Sequence, residues 1–165
     1  MSSRPSSALG NALAGRLRGS SAPQERHAIL VIDDDKASRE SLEFIFGDQY
    51  DLVMCASAKE GIAAVHEDIC AVILDVRMPE QDGFSACEEI RRKFPDMPVI
   101  FYSAYQSAKD PIEIINEYHP LGYVVKGGDL QRLVKLVALA VQLQSIVVQN
   151  RKLIRRLQAS KSPAR

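Results

Sequence analysis

The stretch Ala71-Val72-Ile73-Leu74-Asp75-Val76-Arg77-Met78-Pro79-Glu80-Gln81-Asp82-Gly83 limits what this chain can become more than any other. Four apolar residues run into a carboxylate, and a loop marked by Pro79 and Gly83 follows. A short apolar run between turn signals reads as a strand covered on both faces, the form strands take in parallel sheets. Asp75 then stands at the strand's carboxyl end, the edge on which open α/β sheets bind ligands. An Asp there also serves as a helix cap or turn former, so its role depends on what other strands bring beside it.

The same pattern recurs on both sides of this stretch. Ile29 to Ile32 is an apolar strand ending in Asp33-Asp34-Asp35, and Lys36 to Phe46 places Leu42, Ile45 and Phe46 on one helical face. Leu52 to Cys55 is a second strand. Ser57 and Glu60 form a capping box that opens a helix carrying Ile62, Ala63 and Val65. After the strand at Ala71–Leu74, a helix from about Phe84 to Phe94 stops before Pro95. Val99 to Tyr102 leads into Ser103, a helix spans Ile112 to Tyr118, and Gly122 to Val125 closes on Lys126. Five such strands alternating with five helices predict an α/β, flavodoxin-like, doubly wound fold: a five-stranded parallel sheet in the order 2-1-3-4-5.

Charge divides the chain of 165 residues into three parts. Residues 1–27 hold four Arg and one Glu, residues 28–148 hold 11 cations and 20 acids, and residues 149–165 hold six cations and no acid. The first part reads as a disordered basic tail, with an organellar transit peptide as the alternative. The acidic middle, over 28–142, is the folded domain and excludes direct nucleic-acid binding by that domain. Cys55, Cys70 and Cys87 show no metal-ligand spacing and read as buried thiols of a cytoplasmic protein. No 18-residue apolar span is read in the chain, so no membrane crossing is expected.

In a parallel sheet the strand ends carrying Asp33, Asp34, Asp75, Ser103 and Lys126 lie on one edge. Like charges at ~4 Å repel by roughly 4 kcal/mol at an effective dielectric near 20, and a bound cation relieves this. Oxygen ligands alone select a hard ion, and Mg2+ suits phosphoryl chemistry. Carboxylate, metal, lysine and hydroxyl together are what phosphoryl transfer to an Asp nucleophile needs.

These residues carry a family resemblance. Asp33-Asp34, Asp75 in Leu74-Asp75-Val76-Arg77-Met78-Pro79-Glu80-Gln81-Asp82-Gly83, Ser103-Ala104 and Tyr123-Val124-Val125-Lys126 resemble a bacterial two-component response-regulator receiver domain over about residues 28–142. The resemblance implies that Asp75 is the phosphoacceptor for a histidine kinase or phosphotransfer protein. It implies Mg2+ held by Asp34, Asp75 and the Arg77 backbone carbonyl, with Asp33 acting through water. Ser103 and Lys126 then contact phosphoryl oxygens, and Ser103 with Tyr123 forms the switch. Arg77 and Tyr105 stand at positions that affect the lifetime of the phosphoryl group in this family; here they either shield the acyl phosphate from water or are simply solvated. The protein is then no enzyme beyond its own phosphorylation and dephosphorylation. The chain departs from the family at Gly127, where proline in a cis peptide is usual. A cis bond there costs ~2.5–4 kcal/mol without proline, so a trans peptide is expected, with glycine supplying the unusual dihedrals.

Asp129 caps a helix running to about Leu157, about 43 Å long at 1.5 Å per residue, which overhangs the domain. Leu130, Leu133, Val134, Val137 and Val141 are expected on the sheet. Leu136, Leu139, Leu143, Ile146, Asn150, Leu153 and Leu157 follow a heptad, so 136–158 reads as a dimerising coiled coil, with Asn150 as the register device. The alternative is a helix folded back on its own domain. Residues 159–165 read as a tail or linker; the chain is either a single receiver or a piece of a protein with an effector domain, and the basic, Ser/Pro-containing end leans towards the second. Two other functions compete: a scaffold that works without phosphorylation, favoured only by Gly127, and a phosphatase of haloacid-dehalogenase type using Asp33 and Asp35, whose motif Ala37 and Ser38 break.

Overall fold

A computed structural model of the chain describes residues 26–104 and 111–160. Most of the expected basic tail, Tyr105 and the chain from 161 onward lie outside the described residues. The elements are β1 (Ala28–Ile32), α1 (Lys36–Phe46), β2 (Asp51–Cys55), α2 (Ala58–Ala64), β3 (Ile69–Leu74), α3 (Gly83–Lys93), β4 (Val99–Ser103), α4 (Pro111–Tyr118), β5 (Gly122–Val125) and α5 (Leu130–Ser160). The strands pair in parallel in the order β2-β1-β3-β4-β5.

Period-two alternation sends the strand side chains to opposite faces of the sheet. Leu30, Ile32, Val72, Leu74, Val99 and Phe101 meet Ile62 of α2, Ile90 of α3 and Ile114 of α4. Ile29, Val31, Ala71, Ile73, Ile100 and Val124 meet Leu42 and Phe46 of α1 and Leu133, Val137 and Ala140 of α5. All six residues of β3 are buried, so this strand forms the centre of both layers.

The helix starts follow local chemistry. Asp35 caps α1 by accepting from the Ala37 N–H, and Asp82 caps α3 by accepting from the Ser85 N–H. At α2 the Ser57 hydroxyl accepts from the Glu60 N–H, but Glu60 returns to the Ala56 N–H, one residue beyond the usual capping-box partner. Val65, expected inside α2, is instead its extended C-cap and still packs into the core.

Two expectations for α5 need correction. Leu130 and Val134 are 45% and 39% exposed, while Ala140 and Gln144 are buried beside Leu133, Val137 and Val141. Apolar residues surround this helix on most sides, so periodicity alone does not say which arc meets the sheet. The second concerns membrane crossing. An 18-residue window within Leu130–Ala159 reaches a mean hydropathy of 1.4, long and apolar enough to span a bilayer. Leu133, Val134, the apolar run 136–141 and residues 146–148 keep the average high although Gln142, Gln144 and Ser145 interrupt them. Of that window, 28% is buried in the domain, through the residues that seat it on the sheet.

Candidate functional site

The parallel register delivers four strand ends to one edge. Asp33 follows β1, Asp75 follows β3, Ser103 ends β4 and Lys126 follows β5. Backbone pairing continues past the strands and locks them together: Asp75 N–H donates to the Ile32 carbonyl at 2.8 Å, and Lys126 N–H to the Ser103 carbonyl at 2.9 Å. A Cβ on Gly83 would stand 2.1 Å from the Asp75 carbonyl oxygen, so α3 begins directly against the backbone of the acidic residue.

One carboxylate oxygen from each of Asp33, Asp34 and Asp75 lies within 4.8 Å of the others. Asp33 and Asp75 are 2% and 6% exposed, whereas Asp34 faces solvent. The Lys126 ammonium donates to Asp33 Oδ2 and Asp75 Oδ2, both at 2.7 Å. Asp33 Oδ2 also accepts from the Ser38 hydroxyl at 2.6 Å, and Asp33 Oδ1 from the Asp35 N–H at 3.0 Å. The Arg77 N–H donates to Asp75 Oδ1 at 3.2 Å.

Burial pushes the Asp33 pKa up, and this outweighs the downward pull of the Lys126 ammonium and the Ser38 hydroxyl. For Lys126 the balance falls the other way. Burial opposes its charge, but the hydrogen bonds to Asp33 and Asp75, with their negative charges, hold its pKa above the ordinary value.

The donor set suits a divalent cation. Three ionised carboxylates and one ammonium leave a local charge of −2, and two acids 4.8 Å apart repel by about 3.5 kcal/mol at an effective dielectric near 20. All donors are oxygen, with no imidazole or thiolate among them, which fits a hard ion such as Mg2+. The site can therefore gather positive charge around Asp75, the condition for attack on a phosphoryl group.

The other expected site residues are placed as follows. Ser103, 1% exposed, reaches the site through its backbone bond to Lys126. Tyr123 sits further back along β5, its ring 6.2 Å from that of Phe101 and packed on the core. Arg77 is exposed, and Tyr105 lies outside the described residues. Gly127 has φ of +77° and follows a trans peptide, so the departure from proline is absorbed as expected while Lys126 still reaches both acids. Asp35 serves as the α1 cap, which leaves Asp33-x-Asp35 without a free second acid.

Sequence reasoning missed three groups. The Ser38 hydroxyl and the Arg39 guanidinium fasten Asp33, the latter through its backbone carbonyl, and the Lys126 ammonium stands 5.9 Å from the centre of the Tyr102 ring. The i+5 and i+6 spacing of Ser38 and Arg39 from Asp33, across a helix cap, is the one signal that pointed to the first two.

Residues 29–138 match the family model described as the response regulator receiver domain. The chain is 35% identical over 136 residues to the regulatory protein AtoC of Escherichia coli K12, a match covering 80% of this chain and 29% of that protein. It is 32% identical over 107 residues to the transcriptional regulatory protein ZraR of Salmonella typhimurium LT2, covering 64% of this chain and 24% of that one. The chain thus spans less than a third of the length of these relatives. Among solved structures, a response regulator receiver domain protein from Clostridium thermocellum superposes with a TM-score of 0.66 at 26% identity, covering 73% of this chain and 98% of that one.

Proposed function

Because this chain belongs to the response regulator receiver domain family, we propose that Asp75 takes a phosphoryl group from the phosphohistidine of a histidine kinase or phosphotransfer protein. The reading rests on one observation above all, the Lys126 ammonium held 2.7 Å from both Asp33 and Asp75. An Asp75 carboxylate oxygen attacks phosphorus, the phosphorus–nitrogen bond breaks, and its electron pair leaves on the imidazole. An acyl phosphate remains on Asp75, and water later hydrolyses it, so no external substrate is turned over. Lys126 and the Ser103 hydroxyl take up the phosphoryl oxygens. Asp34, Asp75 and the Arg77 carbonyl would hold Mg2+, with Asp33 acting through water. When bound, the ion supplies charge neutralisation for the phosphoryl oxygens.

Modification draws Ser103 and Tyr123 inward and repacks the face formed by α4, β5 and α5. The far half of α5 passes the change on as a homodimer. Leu139, Leu143, Ile146, Leu153 and Leu157 are 40–56% exposed there, Asn150 is exposed among them, and Leu136 is half-buried where this stripe begins. The two curated relatives are named as regulatory proteins and are much longer, so a transcriptional output elsewhere in the same polypeptide belongs to this reading. Three buried free thiols suit a reducing, cytoplasmic setting. The competing scaffold function drew its support from Gly127, and a lysine that still reaches both acids takes that support away.

Intact-mass measurement with a small phosphodonor and Mg2+ tests the central claim. The wild type gains one phosphoryl mass, and Asp75→Asn gains none. Equal gain by both proteins refutes it.

A further inference from the structure

The strand β5 is short, and each of its ends has a distinct task. Lys126, just past its carboxyl end, contacts Asp75 at 2.7 Å. Gly122, its first residue, lies against α5: a Cβ built there would come 2.5 Å from Leu136 Cδ1 and 3.0 Å from Cδ2. Four residue steps along the strand separate the two, about 13 Å. Leu136 packs with the core layer of Ile100, Val124 and Leu133, and is also the first residue of the heptad stripe that continues outward through Leu139 and Leu143. One side chain therefore belongs both to the domain and to the surface offered to a partner. Beyond Leu136 the opposite side of α5 stays tied to its own domain through buried Gln144 and the Arg151–Asp96 ion pair at 3.1 Å, which leaves the stripe facing outward.

We infer that the seat of Leu136 on bare Gly122 is the coupling point between Asp75 and the pairing of α5 with a second copy of this chain. The inference rests on the phosphorylation and dimer readings above. A shift of Lys126 towards a phosphoryl group carries β5 with it. The seat moves, and the first layer of the helix pair changes its packing. Interiors respond to such displacements by repacking between discrete arrangements, because they have little free volume. A side chain at position 122 breaks this link. The atoms it would meet are the flexible end of a leucine, so Gly122→Ala folds with Leu136 displaced before any modification.

The test is sedimentation equilibrium of the full chain with Mg2+, with and without beryllofluoride as the phosphoryl mimic. Wild-type dimerisation tightens about tenfold on adding the mimic, within the usual range of coupling between sites. In Gly122→Ala the tightening falls below about twofold, while Asp75 still gains its phosphoryl mass. In Leu143→Ala the dimer weakens in both states and the tenfold ratio survives, because that residue lies in the seam but off the seat. Full tightening in Gly122→Ala overturns this inference alone. A wild type that does not respond to the mimic overturns it together with the reading on which it rests.

Discussion

Lys126 stands between two buried carboxylates, and its removal strands both. Breaking such a pair costs more than the pair itself contributes, because the remaining charge stays buried. Lys126→Met is therefore expected to lose about 2–3 kcal/mol of stability without divalent ions. Much of that loss returns with millimolar Mg2+, and urea titrations with and without the ion would show it. The folded-state pKa of Lys126 is raised, so its stabilisation is complete below the unfolded value near 10.4 and is lost as pH climbs through the folded one. Asp33 has the opposite sign. Its raised pKa means that the native state holds its proton more tightly than the unfolded chain, so its ionisation costs stability at neutral pH. Asp33→Asn is expected to stabilise the metal-free protein at pH 7 and to abolish the response to Mg2+. The gain shrinks as pH falls through the folded pKa of Asp33 towards the ordinary Asp value of 3.8, a trend that melts between pH 7 and 4 would follow. The meeting of Asp33, Asp34, Asp75 and Lys126 was legible in advance because strand ends in a parallel sheet must share an edge. Ser38, Arg39 and Tyr102 were not, because their reach depends on side-chain direction across a cap and a neighbouring strand.

At the scale of elements, the strands were read nearly to the residue because each is a compact apolar run closed by polar or turn residues. Helix starts were read from Ser57 and Asp129, and both side chains do accept from backbone N–H groups, of Glu60 and Arg132. The faces of α5 were not legible to the same degree, since Leu130 and Leu133 look alike in sequence and differ only in what lies opposite. That difference has an energetic consequence. Leu133 is fully buried, so Leu133→Ala is expected to cost about 2–5 kcal/mol in transfer and cavity terms. Leu139, 43% exposed, is expected to cost less than about 0.5 kcal/mol in the monomer when changed to Ala. Denaturant unfolding at submicromolar protein would compare the two, and similar costs would mean that α5 is seated on a different arc.

For the whole molecule the decisive feature is the separation of charge. Residues 28–148 carry 20 acids, yet α5 has none from Leu130 to Ser160 and gathers Arg151, Lys152, Arg155 and Arg156 near its end. Asn150 in an inner heptad position favours a parallel, in-register pair, in which the two Asn side chains face each other and satisfy one another. That arrangement brings two clusters of four cations together, relieved among the described residues by the exposed pairing of Arg151 with Asp96 of its own domain. Repulsion of this kind is screened once the Debye length falls below the spacing of the clusters, from about 30 Å at 0.01 M to about 3 Å at 1 M salt. Parallel pairing therefore predicts that salt tightens the dimer, by about fivefold or more between 0.05 and 0.5 M, a change near 1 kcal/mol. An antiparallel pair predicts the reverse, because each basic end would lie beside the acidic domain of the other copy and salt would weaken that attraction. Sedimentation equilibrium at the two salt concentrations reads the sign directly. A dimer that loosens with salt would rule out the parallel register and leave Asn150 buried opposite an apolar side chain.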